Sequence, residues 1–138
     1  MEALYTAHVT SFGGRSGFVR SDDGTLNLSL GTPGEQEDNG SEEATNPEQL
    51  FAAAYSACFH GALKSVAESK QVDAADSKVT ANVTLHKENK DYQLSVKMKV
   101  EIPGLDNSET IKLAEAAHKL CPYSKAVKGN IEVELAAG

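Results

Sequence analysis

The sequence predicts an α+β fold in which antiparallel sheets surround a long, buried central helix. Residues 79–85 and 92–102 alternate apolar with polar side chains, the period of a half-buried strand, and residues 88–91 between them fit a hairpin loop. Residues 47–70 instead begin with the start signals of a helix and contain an apolar stretch over residues 50–63. Sheet and helix in separate segments are typical of the α+β class, and the length predicts a single domain over residues 1–138.

The N-terminal region is predicted to consist of strands. One strand covers about residues 3–12 and ends at a glycine pair, and a second begins near Arg15. In residues 26–30 leucine alternates with polar side chains, which predicts a third strand after the turn signal at residues 22–24. Residues 31–45 are acidic and rich in turn-forming residues, so they are predicted to form a loop.

The long helix has a clear start. Asn46 suits the N-cap, Pro47 the first helical position, and Gln49 the third position of a capping box. Residues 50–63 are apolar nearly all round, so the helix must be buried nearly all round. A helix over residues 47–70 spans roughly 36 Å, whereas a domain of this size has a radius of gyration of only about 14 Å. Burial against a second chain, in a homodimer, is the simpler solution.

A second helix is predicted to follow the hairpin. Asp106 or Asn107 can cap it, and it runs to about residue 120. Its buried stripe comprises Ile111, Ala114, Ala117 or His118, and Cys121. Residues 122–127 are predicted to form a short helical turn and residues 131–135 a last strand.

Composition and charge exclude several classes of function. A formal net charge of −7 argues against nucleic acid or an anionic membrane as a partner. No apolar run approaches the roughly 18 residues of a membrane span, and the N-terminus lacks the basic start and apolar core of a secretion signal. A cytoplasmic protein is therefore predicted, and no haem, flavin or metal motif indicates a bound cofactor.

The sequence allows three interpretations of the role of the two cysteines. A permanent disulfide is disfavoured in the cytoplasm, so Cys58 and Cys121 are inert core thiols, metal ligands or a redox pair. Cys58 lies within the most apolar helix and Cys121 on the buried stripe of another, so both point towards a core. Burial alone raises the pKa of a thiol, so a nucleophilic Cys58 needs a nearby cation.

A zinc site has some support in the sequence. Cys58 and His60, together with His118 and Cys121, supply four side chains of the types that zinc accepts. Residues two positions apart on a helix are separated by about 200° of rotation, so Cys58 and His60 cannot converge unless the helix unwinds.

Four segments of the sequence form a distinctive set: residues 14–17 (GRSG), 45–53 (TNPEQLFAA), 55–59 (YSACF) and 121–124 (CPYS). In this order they resemble the signature of the organic hydroperoxide resistance proteins (Ohr) of the OsmC/Ohr family. The resemblance covers essentially the whole chain. Ala44, Ala54 and Ser56 are small-for-small departures from the residues that the family often has beside the site.

The resemblance implies an OsmC/Ohr-like, intertwined homodimer that reduces organic hydroperoxides without a bound cofactor. By this resemblance the Cys58 thiolate attacks the O–O bond and becomes a sulfenic acid, which Cys121 resolves into a disulfide. Arg15 and Glu48 form a charged pair beside Cys58, in which Arg15 favours the thiolate and Glu48 holds the guanidinium. The implied external reductant is a lipoyl dithiol.

The surroundings of Cys58 suggest two further hypotheses. Leu50, Phe51 and Phe59 offer an apolar approach that favours alkyl, aryl or fatty-acid hydroperoxides over hydrogen peroxide, although such residues could equally be plain core. Glu48 precedes Cys58 by ten residues on one helix, which is roughly 15 Å. We therefore expect the charged pair of one subunit to serve the cysteines of the other.

Other functions are weighed against the peroxidase. The OsmC branch of the family has similar chemistry, but the TNPEQLF segment and the short chain favour Ohr. A redox-regulated dimer that binds a hydrophobic ligand without turnover is the second class. A structural dimer with inert thiols is the third, and slow reaction of Cys58 with peroxides would favour it.

Overall fold

The computed structural model describes residues 1–34 and 44–138. Its elements in chain order are β1 (Val9–Phe12), β2 (Phe18–Ser21), β3 (Asn27–Ser29), α1 (Pro47–Ser69), β4 (Lys78–Glu88), β5 (Asp91–Glu101), α2 (Asn107–Leu120), α3 (Pro122–Val127) and β6 (Val133–Ala137). The α+β prediction is confirmed. The chain divides into two compact units, Met1–Leu50 and Phe51–Gly138, and the single domain stays a prediction. No helix in the described ranges combines the length and apolar character needed to cross a membrane.

The first unit contains an antiparallel sheet in the order β1-β2-β3. The predicted turn at residues 22–24 joins β2 to β3, and the Ser21 amide donates to the Leu26 carbonyl at 2.9 Å. The strand predicted over residues 3–12 is shorter, since the ladder begins only at Val9. Of the loop predicted over residues 31–45, residues 35–43 lie outside the described residues.

Helix α1 starts as its cap predicts. The Gln49 amide donates to Asn46 Oδ1 at 2.9 Å. The capping box is not reciprocal, however, because the Gln49 side chain accepts a hydrogen bond from the Thr45 hydroxyl at 2.6 Å instead of from the Asn46 amide.

Within the single chain, α1 is buried along one stripe only. The buried side chains are Tyr55, Phe59, Ala62, Leu63 and Ala67. Ala53, Ala57 and Gly61 remain exposed, so the prediction of burial nearly all round is not met by the chain itself. A helix is roughly cylindrical, and the sheet and helices of a single chain can pack against only one side of α1. Burial of the remaining surface by a second chain stays a prediction.

The second sheet has the order β4-β5-β6, and it corrects one part of the prediction. Strands β4 and β5 form the expected antiparallel hairpin, which closes at the Glu88–Asp91 pair. Strand β6 pairs with β5 in parallel, with Val96 opposite Val133, so the prediction of purely antiparallel sheets is wrong here. The physical reason is the α2–α3 connection, a crossover that returns the chain to the middle of β5, so that β6 runs in the same direction as β5.

Helix α2 packs beside this sheet. Asp106 is its N-cap and accepts a hydrogen bond from the Glu109 amide at 2.8 Å, as predicted. The buried residues of the helix are Thr110, Leu113, Ala114 and Ala117, followed by Cys121. Ile111 is only half-buried, so the true stripe lies slightly to one side of the predicted one. Cys121 thus continues the core-facing side of α2, as the sequence indicated.

Candidate functional site

The two cysteines meet in the second unit. Both are free thiols, and the Cys121 thiol donates towards Cys58 Sγ across 3.6 Å. Cys121 is fully buried, whereas Cys58 is half-buried. A disulfide has an S–S length of about 2.05 Å, so the two sulfurs would have to approach each other by about 1.5 Å to be joined. The two sulfurs are thus in contact, and the more accessible one belongs to Cys58.

Different elements hold the two sulfurs. Cys58 lies in the middle of α1, among the buried positions of that helix. Cys121 is the residue at which α2 ends and α3 begins. Pro122 has no backbone N–H, so it cannot donate the hydrogen bond that would continue α2. The Cys121 amide still donates to the Ala117 carbonyl at 2.8 Å, while its carbonyl accepts from the Lys125 amide at 3.1 Å. The backbone at Cys121 is thus tied into both helices.

The surroundings of Cys58 in this unit favour the thiol over the thiolate. Partial burial is the main cause that raises the pKa of Cys58, and the neighbouring Cys121 raises it further. A hydrogen bond from the Tyr123 amide acts in the opposite direction but is weaker than the burial effect. A reactive Cys58 thiolate therefore requires a positive charge in addition to these contacts, as the sequence led us to expect.

Arg15 and Glu48 form a bidentate ion pair in the first unit. Arg15 Nη1 donates to Glu48 Oε1 at 2.8 Å, and Arg15 Nη2 donates to Glu48 Oε2 at 2.9 Å. The Glu48 side chain is 18% exposed and that of Arg15 54%. The hydrogen bonds from Arg15 are the main cause that lowers the pKa of Glu48, against the opposing effect of partial burial. Glu48 in the first turn of α1 thus fixes the orientation of the guanidinium.

The ion pair predicts a pH-dependent contribution to stability. The pKa of Glu48 is lowered in the folded state from its ordinary value of 4.5, so in that region the unfolded chain binds more protons. The contribution is complete above the unfolded value and is lost as pH falls through the folded value. Urea unfolding of wild type and Glu48→Gln at pH 7 and at about pH 3 measures it. We expect the stability difference at pH 7 to shrink in acid, and an unchanged difference would contradict this role of the carboxylate.

A tight turn positions Arg15. The predicted strand near Arg15 is instead a single 3-10 turn, Gly14–Ser16, and β2 begins only at Phe18. A Cβ atom on Gly17 would lie 1.7 Å from the Phe12 carbonyl oxygen, so no other residue fits there without moving the backbone. The glycine at position 17 thus has a steric reason.

Gly17→Ala is expected to distort this turn. The clash with the Phe12 backbone should lower the free energy of unfolding by more than about 3 kcal/mol, because neither strand can give way without breaking the β1–β2 ladder. Thermal and urea unfolding measure the effect. Ser16→Ala, an exposed change in the same turn, is the control and should leave stability nearly unchanged. Equal stability of Gly17→Ala and wild type would show that the turn is not sterically constrained.

The structure also contains a polar network that the sequence did not reveal. Ser124 Oγ lies 2.7 Å from the Tyr55 hydroxyl and 2.8 Å from His118 Nδ1. Burial is the main cause that raises the pKa of Tyr55 and that lowers the pKa of His118. The spacing of His118, Cys121 and Ser124 by three residues was the available signal, but it does not identify Tyr55 as their partner.

The geometry does not assemble the four zinc ligands considered from the sequence. His60 Nε2 lies 2.8 Å from Ser77 Oγ, and His118 Nδ1 bonds to Ser124, so both histidines already have partners. Within residues 1–34 and 44–138, no group of three or more His, Cys, Asp or Glu side chains could hold a metal ion.

The three proposed pocket residues differ in exposure. Phe51 is half-buried in the second unit and meets the Tyr55 ring edge-on, with 6.0 Å between the ring centroids. Phe59 is completely buried, so it occupies the position of a core residue, and its ring centroid lies 6.5 Å from that of His118. Leu50 is half-buried in the first unit. Their role in a substrate approach stays a prediction.

Comparison with known proteins gives consistent matches along the chain. The family model for OsmC-like protein matches residues 39–136. The organic hydroperoxide resistance protein OhrA of Bacillus subtilis is 47% identical over 136 residues, which are 97% of this chain and 96% of that protein. The crystal structure of OhrB from Bacillus subtilis is similar, with a TM-score of 0.90 at 41% identity, covering 99% of this chain and 100% of that one. The structure of an organic hydroperoxide resistance protein from Elizabethkingia anophelis has a TM-score of 0.86 at 42% identity, covering 100% and 99%.

Proposed function

Because the chain belongs to the OsmC-like family, on the branch of the organic hydroperoxide resistance proteins, we propose that it is a cysteine-based peroxidase that reduces organic hydroperoxides. The resemblance seen in the sequence, and the OsmC/Ohr-like fold that it implied, are confirmed. The observation that carries the proposed chemistry is the 3.6 Å contact between the free sulfurs of Cys58 and Cys121.

The proposed reaction has two steps within the protein. The Cys58 thiolate attacks the hydroperoxide, so that an S–O bond forms and the O–O bond breaks, and the alkoxide takes up a proton and leaves as an alcohol. Cys121 then attacks the sulfur of the Cys58 sulfenic acid. The S–S bond forms, the S–O bond breaks, and the thiol proton leaves with the hydroxyl as water. The half-buried Cys58 as attacking group and the buried Cys121 as resolving group fit this division of roles.

The proposal assigns the activating charge to Arg15 and its orientation to Glu48. A fixed guanidinium favours the thiolate and stabilises negative charge on the departing oxygen. The bidentate pair observed between these two residues supports this assignment, because the guanidinium is held in one orientation. In the proposal, each site of a homodimer combines the cysteines of one subunit with the charged pair of the other.

The proposed substrates are alkyl, aryl or fatty-acid hydroperoxides. Leu50, Phe51 and Phe59 are the residues expected at the apolar approach. Leu50 and Phe51 are half-buried and would contact the substrate, whereas Phe59 is completely buried and would contribute as core. The protein would work in the cytoplasm, with no bound cofactor. An external dithiol of the lipoyl type would reduce the Cys58–Cys121 disulfide through a mixed disulfide.

Peroxide consumption by the reduced protein tests the proposal. Cumene hydroperoxide and hydrogen peroxide are supplied in parallel, each with dihydrolipoamide or with thioredoxin and its reductase. We expect rapid turnover with cumene hydroperoxide and dihydrolipoamide and slower turnover with hydrogen peroxide. Equal rates with the two peroxides would contradict the apolar approach. No consumption of either would instead indicate a dimer that binds ligands or is purely structural.

A further inference from the structure

Three hydrogen-bonded side chains lie next to the cysteine pair and take no part in the proposed reaction. Ser124 Oγ bridges the Tyr55 hydroxyl, at 2.7 Å, and His118 Nδ1, at 2.8 Å. Tyr55 and Ser124 are buried and His118 is half-buried, so water competes little for these contacts.

The bridge joins the same segments as the two sulfurs. Tyr55 precedes Cys58 by three residues on α1, and Ser124 follows Cys121 by three residues in α3. Residues three apart on a helix share a face. The contact between the two hydroxyls therefore lies about one turn from the contact between the two sulfurs.

His118 links the two sides of the corner at Cys121, which is the junction between α2 and α3. It precedes Cys121 by three residues in the last turn of α2, and its contact with Ser124 spans the junction from α2 to α3. At the same corner the Tyr123 amide donates a hydrogen bond to Cys58. A shift of the corner would thus displace Cys121 Sγ and this donor together, and reactions between positioned groups are sensitive to displacements of about 1 Å.

We propose that Tyr55, Ser124 and His118 are positioning residues that hold Cys121 within reach of oxidised Cys58, so that the disulfide closes before a second hydroperoxide arrives. This inference rests on the proposed peroxidase function. In the competing reaction the Cys58 sulfenic acid takes an oxygen atom from a second hydroperoxide. The O–O bond of this hydroperoxide breaks and an alcohol leaves. Cys58 becomes a sulfinic acid, which dithiols do not reduce.

Ser124→Ala removes the bridge, and the chain offers a matched control. Ser77 is also buried and its hydroxyl also bonds to a half-buried histidine, His60, which lies on another face of α1 from Cys58. Ser77→Ala therefore removes a similar bond away from the sulfur contact. Ser124→Thr keeps the hydroxyl and is the rescue variant. Tyr55→Phe keeps the buried ring and serves if Ser124→Ala does not fold.

Two measurements separate positioning from general loss of structure. In the first, Cys58 is converted to a mixed disulfide with thionitrobenzoate, and attack by Cys121 releases the coloured thionitrobenzoate anion. In the second, mass spectrometry gives the fraction of Cys58 sulfinic acid after excess cumene hydroperoxide. The initial burst of peroxide consumption, which precedes closure, is recorded for each variant.

We expect Ser124→Ala to release thionitrobenzoate about tenfold more slowly and to accumulate more sulfinic acid. The initial burst should slow much less than the release, because the Tyr123 amide is only one of the contacts that set the pKa of Cys58. Ser124→Thr should restore release, and Ser77→Ala should match wild type. Release from Ser124→Ala and Tyr55→Phe at the wild-type rate, or equal slowing in Ser77→Ala, would overturn the proposal. The release assay contains no peroxide, so it decides the positioning role even if the wild type proves not to be a peroxidase.

Discussion

Cys58→Ser is expected to reduce hydroperoxide consumption to the background rate of the buffer. A serine hydroxyl titrates far above neutral pH and is a poor nucleophile towards an O–O bond, so the first step is lost altogether. The half-buried Cys58 is the more accessible of the two sulfurs, whereas Cys121 is fully buried and cannot replace it as the attacking group. Stopped-flow consumption of cumene hydroperoxide measures the effect.

Cys121→Ser is the matched comparison for this prediction. It keeps the attacking thiol, so without a reductant it should consume the first equivalent of hydroperoxide at the wild-type rate and leave Cys58 as the sulfenic acid. Excess hydroperoxide should then oxidise this sulfenic acid more slowly to the sulfinic acid. Continued consumption by Cys58→Ser would place the chemistry elsewhere and return Cys58 to the role of a core residue. Loss of the first equivalent in Cys121→Ser would show that the two cysteines do not divide the reaction as proposed.

Arg15→Ala is expected to give the second largest loss of activity. Burial and Cys121 raise the pKa of Cys58, and in the proposed site the Arg15 guanidinium is the charge that offsets this. Removal of the charge should slow the reaction at pH 7 by about tenfold for each unit by which the thiol pKa rises. The pH dependence of the consumption rate should therefore move to higher pH. Stopped-flow rates at a series of pH values measure both effects.

Arg15→Lys distinguishes charge from orientation. Lysine keeps the positive charge but cannot make the bidentate contact that joins Arg15 to both oxygens of Glu48. We expect an intermediate rate and a smaller shift of the pH profile. An unchanged profile in Arg15→Ala would contradict the proposal that this guanidinium activates the thiolate.

Local signals in the sequence predicted most elements of the fold. The Asn46 and Asp106 caps fix where α1 and α2 begin, because a side-chain oxygen binds a free amide at each start. The alternation of apolar and polar residues located β4 and β5, because successive side chains on a strand point to opposite faces of the sheet. The parallel pairing of β6 was missed because strand direction depends on the α2–α3 crossover, which periodicity does not encode.

The site was predictable in part. Helical spacing placed both Cys58 and Cys121 on core-facing positions, but their 3.6 Å contact is a tertiary feature and their roles came only from the resemblance. The bridge from Tyr55 to Ser124 was missed because it joins residues 69 positions apart, beyond the reach of any periodic pattern. The Arg15 turn was taken for a strand because Gly17 is needed for close backbone approach to Phe12, which alternation does not report.

The most direct test of the peroxidase proposal is a single turnover with thiol counting. Fully reduced protein is mixed with one equivalent of cumene hydroperoxide at pH 7, quenched with an alkylating reagent and digested for peptide mapping. The proposal predicts that both thiols disappear, that the Cys58 and Cys121 peptides are joined by a disulfide, and that one alcohol forms per chain. Intact peroxide together with full alkylation of both cysteines would contradict it.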